Sequence, residues 1–167
     1  MAEQAPVHPG DLRAFLCGTS FFGGLTTQVV DQLIPLLKER AVPKGTVLFA
    51  EGESGRSMYI VRSGALIVER RCKDGVEARL LMMRAGDFFG VTALIEMEPR
   101  PFECVAEQDS VVYELTNADL YKLYKQDMKG YVLVLQNINR ELARRLRKAA
   151  RRIADLEDHV RELTPKH

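Results

Sequence analysis

Residues 42–116 are cut into short apolar or alternating runs by glycine-centred turns, and this punctuation limits the fold more than any other feature of the chain. The runs fall at 46–50, 57–61, 65–70, 76–83, 103–106 and 111–115. Between them stand Gly52-Glu53-Ser54-Gly55, Ser63-Gly64, Asp74-Gly75 and Ala85-Gly86, which are turn chemistry. Lys73-Asp74-Gly75 is the clearest hairpin, because Asp-Gly accepts the positive φ angles of a tight reversal. Several short strands at this spacing predict a β sandwich or barrel.

The period changes on both sides of this region. Residues 1–10, with Pro6 and Pro9, read as a flexible tail. A short helix is expected from Asp11 through Leu12, Phe15 and Leu16, closed by Gly18. A second starts near Thr26 or Thr27, with Val29, Val30, Leu33, Ile34, Leu36 and Leu37 at helical spacing and Pro35 disturbing its middle. After the β region, Thr116-Asn117-Ala118-Asp119 offers a capping hydroxyl followed three residues later by a carboxylate, with Leu120, Leu123 and Tyr124 on the buried face. Gly130 is expected to mark a joint. The domain would thus occupy residues 11–129, a long helix 130–163, and a short tail 164–167.

In that helix Leu135, Asn139, Leu142, Leu146, Ala149, Ile153, Leu156 and Val160 are spaced alternately by four and three, the seam of a coiled coil. Asn139 takes an a-type position, where a buried amide sets register, so a parallel homodimer is expected. The alternative is one amphipathic helix packed on its own barrel. Arg140, Arg144, Arg145, Arg147, Lys148, Arg151 and Arg152 read as the solvated flank of the seam, and direct nucleic-acid binding is not expected of them.

Residues 86–106 are the most irregular stretch: the apolar pair Phe88-Phe89, then Gly90, one helical turn through Ala93-Leu94-Ile95, and Arg100 between Pro99 and Pro101. A strand that breaks into a glycine and a helical turn leaves backbone N–H groups unpaired, which is a way to hold phosphate without a metal. Arg100 would supply the fixed charge; its other reading is a pair with a neighbouring carboxylate. Phe88, Phe89 and Leu94 read as core, and Glu96 and Glu98 as solvent-facing.

Composition limits the chemistry. A net charge of +1 gives no overall attraction to nucleic acid or membrane. The N-terminus has no signal-peptide core, and a cytoplasmic protein without membrane contact is expected. Cys17, Cys72 and Cys104 are widely spaced, and His8, His159 and His167 lie outside the β region, so no metal site is expected. No nucleophile–base pair or Walker-type loop suggests an enzyme.

Phe89-Gly90, Ala93-Leu94 and Pro99-Arg100, together with residues 42–71 and their Gly45, Gly52, Gly55, Tyr59 and Gly64, resemble the cyclic-nucleotide-binding domains of catabolite activator-type regulators, cyclic-nucleotide-dependent kinases and gated channels. The resemblance spans about residues 22–159. It implies a mainly β fold with flanking helices: a double-stranded β-helix jelly-roll with N-terminal helices and a long C-terminal dimerisation helix. It implies a cyclic nucleotide, cAMP or cGMP, without metal, at Phe89, Gly90, Val91, Thr92, Ala93, Arg100 and Pro101.

Three positions depart from the family pattern. The family's glutamate after Phe-Gly, which binds the ribose 2′-hydroxyl, is here Val91, with Thr92 next door as a partial substitute. Losing such a bond costs about 1.5–3 kcal/mol, roughly ten- to a hundredfold in affinity. Pro101 replaces a small residue whose N–H faces the phosphate. Ala149 and Ala150 stand where the catabolite activator branch carries a hydroxyl pair that meets adenine across the dimer. In those regulators a helix-turn-helix follows the long helix, whereas this sequence ends at His167, so either an effector domain is missing or the chain is a stand-alone sensor. Two functions are carried forward: a regulatory sensor signalling through its dimerising helix, with an effector protein or domain as recipient, and a scaffold with a degenerate pocket that acts by dimerisation or protein binding.

Overall fold

The computed structural model describes residues 9–71 and 77–163, so the predicted Asp74-Gly75 hairpin and both chain ends lie outside the described residues. The strands are β1 (Lys38–Val42), β2 (Val47–Phe49), β3 (Ser57–Ser63), β4 (Ala65–Arg71), β5 (Glu77–Arg84), β6 (Phe88–Phe89), β7 (Glu103–Ala106) and β8 (Ser110–Thr116). They form two four-stranded antiparallel sheets, ordered β1-β8-β3-β6 and β2-β7-β4-β5. The helices are α1 (Pro9–Cys17), α2 (Thr27–Leu33), α3 (Val91–Glu96), α4 (Asn117–Gln126) and α5 (Met128–Leu163).

Strands β3, β6 and β8 of the first sheet are buried on both faces, which explains why they read as nearly continuous apolar runs. Tyr59, Phe89 and Val112 point inward, meeting Phe49, Leu66, Val68 and Cys104 of the second sheet. Their alternate neighbours Met58, Ile60, Phe88, Tyr113 and Leu115 point outward, against Leu16, Phe21, Leu33, Leu123, Val134 and Ile138 of the helical layer. In the second sheet β4 is buried along residues 65–69, whereas the edge strand β5 alternates between buried Met83 and exposed Met82. This is the jelly-roll with flanking helices that the sequence leads one to expect.

Several boundaries differ from expectation for local reasons. β1, sequence KERAV, has no apolar pattern because it is an edge strand whose charged side chains meet water, with only Val42 buried. α1 starts at Pro9, not Asp11; proline is well suited to the first helical position, where its missing N–H is not needed. α2 stops at Leu33, and Ile34–Leu36 form a single 3₁₀ turn around Pro35. α5 starts at Met128, so Gly130 is not the joint. The joint is Asp127, whose carboxylate accepts the Gly130 N–H at 2.8 Å. Gly130 sits inside the first turn because a Cβ there would lie 2.6 Å from Val29 Cγ2.

α5 has two unlike halves. Val134 and Ile138 are fully buried against the barrel layer, and Leu135 and Leu142 pack partly on the same core. Beyond Ala143 the seam residues Leu146, Ile153, Leu156 and Val160 stand in solvent, Leu146 being 71% exposed. Asn139 is exposed, and the buried amide of this helix is Asn137.

The expected capping box opens α4: Thr116 Oγ1 accepts from the Asp119 N–H, and the Thr116 N–H donates to Asp119 Oδ2, both at 3.2 Å. Burial works against ionisation of Asp119, but bonds from Lys122 and Thr116 prevail and hold its carboxyl below the usual value of 3.8. A lowered native pKa stabilises the fold above the unfolded value and loses that contribution as pH falls through the native one. The melting-temperature gap between wild type and Asp119→Asn should therefore be open at pH 6 and close toward pH 3. A gap that ignores pH would show that the carboxylate charge contributes nothing.

Candidate functional site

Arg100 is the centre of the site. Its backbone is clamped by the β2–β3 loop, with Arg100 N donating to Glu53 O and Gly52 N donating to Arg100 O, each at 2.8 Å. That clamp sends the side chain inward, where the residue is only 4% exposed. Nη2 donates to the Ser57 carbonyl at 2.8 Å and to Ser57 Oγ at 3.4 Å, and Nη1 donates to the Gly90 carbonyl at 3.2 Å. The guanidinium carbon lies 4.2 Å from the Phe49 ring centroid and 5.6 Å from that of Tyr59.

Among the described residues no carboxylate lies within ion-pair distance of Arg100, and its Nε has no partner. The alternative role as half of a local ion pair is therefore not what the geometry contains. Burial pulls the guanidinium below its usual pKa, while Tyr59, Glu53 and Glu114 act to restore it. A buried cation bonded only to neutral oxygens keeps its charge uncompensated, and an anion is the group that would compensate it.

A cleft of about 350 Å³ lies against Arg100, lined also by Arg40, Glu53, Ser57, Tyr59 and Glu114. The Tyr59 hydroxyl accepts from Arg40 at 3.4 Å and from Ser57 Oγ at 3.3 Å, and donates to Glu114 at 3.4 Å. Burial raises the Tyr59 pKa, so the phenol keeps its proton at neutral pH.

The predicted site residues do not all converge. Phe89 lies inside the barrel, its ring 5.5 Å from Tyr59 and 6.1 Å from Phe49. Gly90 adopts φ 78°, and a side chain there would come within 2.8 Å of Arg100 Nη1. Ala93 is buried nearby, whereas Val91 turns into the helical core and Thr92 and Pro101 are exposed. α3 ends at Glu96, and Met97 caps it as a left-handed residue at φ 56°.

Phe49, Gly55, Ser57 and Tyr59 complete the cradle, and no feature of the sequence reading assigned them to it. The pair of glycines in Gly52-Glu53-Ser54-Gly55 was the available signal, but turn chemistry alone accounts for it. A Cβ on Gly55 would stand 2.6 Å from Arg100 Nε and 2.7 Å from Ala93 Cβ. Gly55→Ala should thus destabilise the fold by about 1–3 kcal/mol through overpacking, read from denaturant unfolding. An unchanged midpoint would mean that Arg100 is not held as described.

Among the described residues no helix is long and apolar enough to cross a membrane, and no group of three His, Cys, Asp or Glu is placed to hold a metal. A family profile described as "Cyclic nucleotide-binding domain" matches residues 39–127. The "Cyclic AMP receptor protein" of Thermus thermophilus is 31% identical over 79% of this chain and 59% of its own length. A "CRP-like cAMP-activated global transcriptional regulator" of Mycobacterium tuberculosis is 28% identical over 84% of this chain and 61% of its own. The crystal structure of the Thermus thermophilus catabolite activator protein superposes with a TM-score of 0.73 at 29% identity, covering 83% of this chain and 63% of that one. The chain thus spans about three fifths of these curated relatives, at 59% and 61%. With the profile covering the barrel and the cassette around Arg100, the chain belongs to the cyclic nucleotide-binding domain family.

Proposed function

We propose that this chain is a regulatory domain that binds a cyclic nucleotide, with the cyclic phosphate paired to Arg100, and that occupancy is transmitted through α5 to a dimer partner. The observation that carries the reading is the burial of Arg100 without a carboxylate. A phosphate oxygen would replace the Ser57 and Gly90 carbonyls as acceptor, adding an opposite charge and paired acceptor geometry to bonds in which only the donor is now charged. Relatives named for cAMP put that nucleotide ahead of cGMP.

Two contacts support transmission to α5. Arg145, paired to Glu141 at 2.7 Å, donates to the Phe88 carbonyl at the entry to the cassette. Asn117 of α4 donates to the Leu94 carbonyl of α3 at 2.9 Å. Movement of α3 would pull on both helices.

The scaffold reading has its own support. Arg100 Nη1 and Nη2 already have neutral partners, Pro101 offers no N–H, and Val91 is buried away from Arg100 in the core. Calorimetric titration with cAMP and then cGMP, beside an Arg100→Ala control, separates the two. Micromolar binding that disappears in the control is expected. No heat from either at millimolar concentration would leave the scaffold.

The dimer has a separate test. Leu146 and Ile153 are exposed and make no part of the core, so Leu146→Glu/Ile153→Glu should leave the melting temperature within a few degrees while converting a sedimenting dimer to monomer. A wild-type chain that sediments as a monomer would remove dimerisation from the proposal.

A further inference from the structure

A second cleft, of about 410 Å³, opens between α5 and the loop joining α1 to α2, lined by Ser20, Asn137, Arg140, Ala143, Arg144 and Arg147. None of these residues lines the Arg100 cleft. Its floor is rigid: Asn137, 4% exposed, donates to the carbonyls of Phe21 at 2.9 Å and Gly23 at 2.8 Å. The same amide's oxygen accepts from Arg140 Nη1 at 2.8 Å, so one buried side chain pins the loop to the helix and orients an arginine at the cleft.

The charge there is unbalanced. Glu141 pairs with Arg144 at 2.5 Å, but it is also bonded to Arg145. Among the described residues neither Arg140 nor Arg147 has a carboxylate within ion-pair distance. Spacings of four and three place Arg140, Arg144 and Arg147 on one face of α5. At about 100° per residue, Leu142, Leu146 and Ile153 point at least about 100° away, so a dimer formed through that seam would leave the cleft open.

Three guanidinium groups and the Ser20 hydroxyl suit a phosphate group, whose oxygens take paired N–H donors. The volume is that of a small-molecule site. Arg151 continues the same face, but Asp155 and Asp158 beyond it would repel an extended polyanion running along the helix, which favours a compact ligand.

We propose that this cleft is a second anion site, separate from Arg100, that takes a compact phosphate-bearing ligand such as a phosphomonoester or a pyrophosphate. Inorganic pyrophosphate is the probe, titrated calorimetrically into wild type, Arg100→Ala, Arg140→Ala/Arg147→Ala and Arg147→Glu, with melting temperatures measured for each. Arg147 is exposed and, among the described residues, unpaired, so its reversal tests the site even if the double variant fails to fold. Binding should persist in Arg100→Ala and weaken about tenfold or more in both cleft variants. The proposal is overturned by no binding at millimolar pyrophosphate, by binding that the cleft variants leave unchanged, or by loss in Arg100→Ala alone. A 20-base-pair duplex, followed by fluorescence anisotropy, serves as the polyanion arm. Saturable duplex binding without pyrophosphate binding would replace the compact ligand with a nucleic-acid backbone.

Discussion

Arg100 carries a charge into the mouth of the barrel, and the residues around it are those that make its burial tolerable. Removing such an ion from water costs several kcal/mol even after relaxation. Against that stand hydrogen bonds to a charged donor, at about 1.5–3 kcal/mol each, and a cation–π contact with Phe49 at about 0.5–2 kcal/mol. The two sides are of similar size, so the arginine is held near balance. Gly55 and Gly90 matter because a methyl group at either would occupy the space the guanidinium needs. The site is thus a charge whose direct hydrogen-bond partners are neutral oxygens, with Glu53 and Glu114 in the cleft wall beyond them.

How the lining was assembled explains what sequence could and could not convey. Local features were legible: the short strands, the turn at α3, the Thr116–Asp119 box and the long helix all depend on neighbours in the chain. Arg100 stood out through its setting between two prolines. Its partners did not, because Ser57 and Phe49 reach it only after β2 and β3 have paired elsewhere. β1 escaped for a related reason: an edge strand takes its conformation from β8, and its charged side chains carry no period-2 signal. The joint before α5 falls at Asp127 and not at Gly130, because tertiary packing against Val29, not an interruption of the helix, is what requires a glycine there.

Asn139 and Asn137 show the same limit within one helix. Heptad spacing picks out Asn139 for a seam between two chains, a position that is solvent-exposed in the single chain. Asn137 is off that seam and becomes important only because the α1–α2 loop presents two carbonyls to it. Spacing identifies a helix face, but the partner of that face is a fact of three dimensions.

The two-residue strand β6 joins these parts physically. Adjacent strand residues point to opposite faces, so Phe89 enters the aromatic lining beside Arg100 while Phe88 enters the helical layer. The Phe88 carbonyl is also the acceptor for Arg145 of α5, and Gly90, next in line, supplies a carbonyl to Arg100. A shift of β6 that improved one of these contacts without adjusting the other would need room in a core packed on both sides. Such cores rearrange between discrete arrangements more readily than they stretch. If an anion draws Arg100 from the Gly90 carbonyl, the freed acceptor lies two residues from the bond that fixes α5. This short strand is consequently where ligand occupancy and helix position would be coupled.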